Sequence, residues 1–159
     1  MARFHKFDIA RSQLVTATEI FFNQGNFSAV ITLAGAASGI LDEFVRREGK
    51  EPFVDYACRV HRELVGKTPP RRSAIHHIEK RLGISAHKHL SDKDTPTVEL
   101  DLERQAINAL MRAISDYITL KGQEEPFVKA VLQWTWMNSD GKAIMERYKA
   151  VPEKQRPKE

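Results

Sequence analysis

Apolar side chains recur every three or four residues along most of the chain, which is the pattern of amphipathic helices. The first such stretch runs from Asp8 to Phe22, and the second begins after an N-cap at Asn26 or Ser28 and runs to about Arg47. Residues 23–26 between them predict a turn. The predicted buried faces of the two helices are Ala10, Leu14, Ala17 and Phe21, and Val30, Ala34, Ala37, Leu41 and Phe44.

Proline and glycine mark the ends of the later helices. The predicted helices run from Pro52 to a stop at Gly66, from about Arg71 to an end or kink at Gly83, from a cap at Asp101 to about Leu120 before Gly122, and from Pro126 to a turn at 138–141. The first of these has a predicted apolar face of Phe53, Ala57, Val60 and Leu64. A short last helix carries Ile144 and Tyr148, and the charged, proline-containing segment 151–159 predicts a disordered tail.

The segments between the helices are polar. Residues 85–94 predict a long loop, and residues 96–100 predict an extended connection after Pro96. No stretch shows the alternation of a β-strand, and no period repeats. The sequence therefore predicts a single all-α domain over residues 1–150, an antiparallel bundle of four to five main helices with short C-terminal helices appended.

Two features of the predicted helices bear on packing. Residues 34–39 have small side chains all round, which predicts close approach of neighbouring helices rather than a phosphate-binding loop. Trp134 and Trp136 point to opposite sides of one helix, since two residues turn it by about 200°. Trp134 belongs to the predicted apolar face, whereas Trp136 is a candidate contact for a partner or a second copy of the chain, or packs on the last helix.

The composition is that of a folded globular domain, with 42% hydrophobic and 29% charged residues in 159. Cys58 is the single cysteine, so no intramolecular disulfide forms, and its apolar neighbours predict that it is buried. No window approaches about 20 uninterrupted apolar residues. We therefore expect a cytoplasmic protein without a membrane partner.

Positive charge is concentrated in the middle of the chain. Residues 59–93 carry nine Lys or Arg and three Asp or Glu, and His76, His77, His87 and His89 lie there too. This pattern is typical of a solvated helix face, and it also fits a surface that attracts an anion such as an RNA backbone.

The familiar catalytic motifs are missing, so the histidine-rich middle holds the candidate site. An Arg that holds a phosphate and a His that moves a proton could together cleave RNA. The candidate catalytic residues are Arg72, His77, Arg81, His87 and His89, with Arg71 and Lys88 as candidate anion-binding residues. Helical spacing places His76 rather than His77 on the face of Arg72. The alternative is that these are exposed surface residues with no catalytic or binding function.

A metal site is a weaker hypothesis. His87 and His89 are followed by Asp92 and Asp94, and imidazole and carboxylate groups in a loop can converge on a divalent ion. The neighbouring Lys88 and Lys93 would repel such an ion. We therefore predict neither a metal nor another cofactor.

Several segments resemble an uncharacterised family of small bacterial all-helical proteins. The similar stretches are Leu14 to Phe22, Ser28 to Leu41, and the Lys88-His89 segment followed by Asp92 or Asp94, where Ser85 replaces the family's Asn. The order of helices is distantly similar to the HEPN superfamily, which often dimerises and whose active members are metal-independent ribonucleases with an Arg and a His a few residues apart. Arg72 with His77, and Arg81 with His87, resemble that motif. The polar residue that commonly follows the Arg is only partly matched by Ser73, and Leu82 does not match it.

Three functions follow as hypotheses. The first is a non-catalytic module that binds a protein or a small ligand. The second, implied by the resemblance, is a HEPN-like ribonuclease of the toxin or defence type. The third is a metal-dependent enzyme at the loop of His87 and His89. RNA or a protein is the expected partner, and a homodimer is compatible with Trp136 and the small-residue helix.

Overall fold

The computed structural model describes residues 1–23, 25–90 and 94–158, which form eight α-helices and no β-strand. The prediction of an all-α bundle is confirmed. Gln24 of the predicted turn and residues 91–93 of the predicted loop lie outside the described residues. The helices are α1 (Lys6–Asn23), α2 (Phe27–Arg47), α3 (Phe53–Val65), α4 (Arg71–Arg81), α5 (Ile84–Lys88), α6 (Leu102–Lys121), α7 (Pro126–Met137) and α8 (Gly141–Ala150), and a 3-10 turn follows at Glu153–Gln155.

The main core lies around α2, which packs against α1 and α6. These helices meet through fully buried side chains that include Leu14, Ile31, Leu41, Leu110 and Ile114. Helix α7 packs against α1 and α6 and adds Phe127, Val128 and Val131. The apolar faces of these four helices thus form the main hydrophobic core.

Local sequence signals set most helix ends as predicted. The Asn26 side chain accepts a hydrogen bond from the Ala29 N–H, and the Asp101 side chain accepts one from the Arg104 N–H. Pro126 starts α7, where its missing N–H costs nothing. Gly66 ends α3 in the left-handed conformation, with φ of 76°.

A second, smaller cluster joins α3 to α4. Val54 and Cys58 of α3 are buried with Ala74, and Ile75 and Ile78 of α4 pack against them. The predicted apolar face of Phe53, Ala57, Val60 and Leu64 is therefore wrong by one position, and Leu64 is exposed. The predicted face and the buried face lie side by side on α3, and the contact with α4 buries the one that carries Val54 and Cys58.

Part of the predicted loop at 85–94 is wrong, since α5 extends through Lys88. The reason is tertiary: Ile84 is fully buried against α2 and fixes the polar residues that follow it. The small residues of α2 allow this contact at Gly35. Gly39 has a different environment, because a Cβ there would meet no atom within 4 Å.

Residues 151–158, which the composition predicts to be disordered, contact α3 in the structure. The Arg59 guanidinium donates hydrogen bonds to the carbonyl oxygens of Lys154 and Arg156, and Lys154 forms an ion pair with Glu63 at 2.7 Å. The Arg156 guanidinium lies over the Tyr148 ring. These contacts are made by charged side chains, so the apolar content of the segment gives no sign of them.

Helix α2 is, among the described residues, the one helix long and apolar enough to cross a membrane, with a mean hydropathy of 1.4 over an 18-residue window. The central helix of a globular core meets the same criterion. Val30, Ala34, Ala37 and Leu41 of α2 are fully buried inside the bundle. Its apolar character is therefore accounted for by packing against α1 and α6.

Candidate functional site

The predicted Arg and His residues of α4 lie on its outer side. Arg72, His76 and His77 are exposed and form no hydrogen bond or ion pair with any described residue, while Ala74 and Ile78 face α3. Arg81 is also exposed, and its carbonyl oxygen accepts a hydrogen bond from Gln105 Nε2 at 3.2 Å. The structure thus leaves this set of side chains free and facing solvent.

The candidates on α5 are separated from that set by Gly83, whose φ of 73° breaks the helix. His87 is half-buried, and its Nδ1 donates a hydrogen bond to the Gly83 carbonyl oxygen at 2.7 Å. Lys88 Nζ lies 3.3 Å from Glu79 Oε1, and His89 is exposed at the end of the helix. Each of these residues is placed by local contacts of α5 and α4.

The hypothesis of a metal site depends on residues that the structure covers only in part. Asp92 lies outside the described residues. Within the described ranges, no three or more His, Cys, Asp or Glu side chains are grouped so that they could hold a metal ion.

Arg71, a candidate anion-binding residue, already holds two carboxylates. Its Nη2 lies 2.6 Å from both carboxylate oxygens of Asp42, and its Nε lies 2.7 Å from Asp55 Oδ1. The charged pair with Asp42 is largely shielded from solvent, since the Asp42 side chain is 11% exposed. This Arg therefore fastens α4 to α2 and α3.

Asp42 and Arg71 belong to a larger group that we call the charged cluster: Asp42, Asp55, Arg71, Glu79, Arg112 and Asp116. Asp42, Arg112 and Asp116 are its buried members. Asp116 is 1% exposed and accepts a hydrogen bond from the Phe53 N–H at 2.7 Å. Burial raises the pKa of Asp116 to about 7, and the hydrogen bond from the Phe53 N–H offsets only part of this rise. Arg112 is 4% exposed, and its Nε and Nη1 have no hydrogen-bond partner among the described residues.

The sequence analysis missed the charged cluster, although the sequence carries a signal for it. Arg112 and Asp116 are four residues apart and follow the buried Ala109 and Ala113 by three residues each. Residues at these spacings share one helix face, so both charges are placed on the buried side of α6.

A second unusual feature is an apolar surface at the C-terminal end of the bundle. Trp134 packs edge-on against Phe21, with ring centroids 5.0 Å apart, whereas Trp136 is 53% exposed. The prediction that the two rings point to opposite sides is confirmed. Five large apolar residues of α7 and α8 are exposed, and we call them the α7–α8 surface: Trp136, Met137, Ile144, Met145 and Tyr148.

The two helices meet where the Trp136 ring covers Gly141, the first residue of α8. A Cβ built on Gly141 would lie 2.6 Å from Trp136 Cε2, so only glycine leaves room for the ring. Gly141 is the sole buried residue of α8. The rest of α8 therefore presents its apolar side chains to solvent.

Comparisons with known protein families, with characterised proteins and with solved structures found no match.

Proposed function

We propose that the protein is a non-catalytic interaction module that binds a partner protein through the α7–α8 surface. The observation that carries the proposal is that two consecutive helices, which meet where the Trp136 ring covers Gly141, carry five large exposed apolar side chains. Single exposed apolar residues are ordinary, whereas a grouped patch is typical of an interaction site. Trp, Tyr and Met are also the apolar residues that interfaces favour.

The pattern of α8 supports this reading. At about 100° per residue, Ile144, Tyr148 and Met145 fall within one arc of the helix. Lys142 and Lys149 lie along one edge of that arc, and Arg147 lies along the other. An apolar centre with a charged rim is the usual composition of an interface between proteins.

The basic rim indicates the chemistry of the partner. Two copies of this chain that met through α8 would bring the basic edges of both helices close together, which costs free energy. A partner with an apolar patch rimmed by Asp and Glu would instead be attracted and oriented. We therefore favour a different, acidic protein over a second copy.

The test is photo-crosslinking in the cell with a photoreactive amino acid at position 144. The matched control carries it at position 19, an exposed position on α1. We expect one discrete crosslinked species with the position-144 protein alone. The same species from both positions, or none from position 144, would contradict the proposal, and a product of twice the chain's mass would identify a homodimer.

The crosslinked protein is then purified and its affinity measured. Ile144→Ser and Tyr148→Ser should each raise Kd about tenfold or more, the range of a central interface residue. Ile144→Ser should not change Tm appreciably, since this side chain is half exposed, and Tyr148→Ser should lose only the contact of its ring with Arg156. High salt should slow association because the rim is charged.

A ribonuclease is the second candidate, favoured by the free side chains of Arg72, His76 and His77 on the outer side of α4. Incubation of purified protein with total RNA, with and without EDTA, tests this function. Chelator-resistant cleavage that His76→Ala, His77→Ala or His89→Ala abolishes would establish it. Intact RNA in every sample would exclude the ribonuclease and favour the interaction module.

A further inference from the structure

The guanidinium of Arg112 lies inside the bundle without the hydrogen bonds that a buried charge requires. The residue is 4% exposed, and Nε and Nη1 have no partner within the described ranges. A guanidinium keeps its proton in proteins, so the group remains a cation with five N–H donors. A buried donor left unpaired costs on the order of 1–3 kcal/mol, and more when it is charged.

The nearby carboxylates do not satisfy it. Glu79, Asp116 and Asp42 all attract the Arg112 charge, but burial outweighs them and lowers the pKa of the guanidinium. Asp42 is held by Arg71, Asp116 accepts from the Phe53 N–H, and Glu79 is near Lys88. Each carboxylate that faces Arg112 therefore has another partner.

We infer that Arg112 anchors a binding site for a small monocarboxylate, enclosed by α2, α4 and α6. A planar carboxylate matches the guanidinium fork and would supply the missing acceptors through two parallel hydrogen bonds. The site is independent of the α7–α8 surface.

The charges around the site select among anions. Asp42, Glu79 and Asp116 would repel a dianion such as phosphate much more than a singly charged ligand. Arg71 offsets part of the negative charge, and Asp116 takes up a proton near neutral pH, which reduces the repulsion further. A small carboxylate is thus the anion that the cluster tolerates best.

Access would come from movement of α4. Ala74 is the only buried residue of this helix, Ile75 and Ile78 pack partly buried beside it, and Arg71 and Glu79 add polar contacts. Elements with few buried apolar contacts open at low free-energy cost. Opening of α4 would expose Arg112 without disturbing the core between α1, α2 and α6.

Thermal unfolding with sodium acetate as the probe tests the inference. At low millimolar concentration, where general salt effects on stability are small, acetate should raise Tm of the wild-type protein progressively, whereas sodium chloride and sodium phosphate at equal ionic strength should not. Arg112→Met keeps the length of the side chain and removes the charge, so it should abolish the acetate effect. Arg72→Met, an exposed position on α4, is the matched control and should respond as the wild type does.

The location is read independently on wild-type protein with ¹³C-labelled isoleucine methyl groups, which needs no Arg112 variant. Acetate should shift the Ile75 and Ile78 signals on the inner side of α4 and leave Ile9 on α1 unchanged. An equal rise in Tm for acetate and chloride, or methyl shifts spread over Ile9 as well, would overturn the inference. So would an acetate effect that persists in Arg112→Met.

Discussion

Ile84 packs directly on the backbone of α2 at Gly35. A Cβ built on Gly35 would lie 2.7 Å from Ile84 Cγ2, closer than such atoms approach in proteins. Both residues are buried, and Ile84 is the first residue of α5. This one contact positions α5, and with it His87 and Lys88, against the central helix.

Gly35→Ala should therefore destabilise the protein by about 1–3 kcal/mol through overpacking, despite the better helix propensity of Ala. Ile84→Ala should cost about 2–5 kcal/mol through the cavity it leaves. Urea denaturation measures both free energies of unfolding. Gly39→Ala is the control, since a Cβ there meets nothing within 4 Å, and it should be neutral or stabilising.

The double variant Gly35→Ala with Ile84→Ala checks that the contact itself is responsible. Alanine at position 84 removes both Cγ atoms that the new methyl group would meet, so the double variant should lose less than the sum of the two single losses. Strict additivity would show that the two residues do not restrict each other.

Arg71 and Arg72 are adjacent but differ in their contacts, which makes them a matched pair. Arg71→Met should lower the free energy of unfolding by about 1–3 kcal/mol, because it leaves Asp42 buried without its partner while the Arg itself is partly exposed. Arg72→Met should change it by less than about 0.5 kcal/mol. Asp42→Asn added to Arg71→Met should recover part of the loss, and equal effects of the two Arg variants would contradict the ion-pair geometry.

Asp116 should make stability fall as pH rises. Its pKa is about 7 in the folded protein against 3.8 as the ordinary value, so between these values the folded state binds more protons than the unfolded state. The free energy of unfolding is therefore highest below about pH 4, where Asp116 is protonated in both states. It falls by at most about 4 kcal/mol as pH rises through 7.

Denaturation series from pH 4 to 8 measure this effect by comparing wild type with Asp116→Asn, which keeps an oxygen to accept from the Phe53 N–H. The difference between the two curves should grow across this range and then level off. Parallel curves would show that Asp116 titrates at its ordinary pKa.

Arg59 should control the C-terminal segment. Its guanidinium binds the carbonyl oxygens of Lys154 and Arg156, and its pair with Glu51 lowers the pKa of that carboxyl. Arg59→Met should therefore speed tryptic cleavage after Lys154 severalfold. Arg62→Met on the same helix is the control, because Arg62 is exposed and makes none of these contacts. Equal cleavage rates in the two variants would indicate that the segment is free in solution.

The sequence by itself determined the helices and most of their ends. Apolar periodicity predicted the faces of α1 and α2, and Asn26, Asp101 and Pro126 marked helix starts through interactions within one turn. These features depend on residues close together in the chain, so local pattern is enough to predict them. The same holds for the opposite placement of Trp134 and Trp136, which follows from helical geometry alone.

Only the tertiary structure decided what depends on residues far apart in the chain. The buried face of α3 was set by α4, helix α5 by the contact of Ile84 with Gly35, and the placement of residues 151–158 by Arg59. Arg71 was predicted to bind an anion, and the folded chain brings Asp42, 29 residues away, to pair with it. The missing partners of Arg112 likewise became visible only when the folded chain buried it, because burial and pairing of a charge are properties of its surroundings.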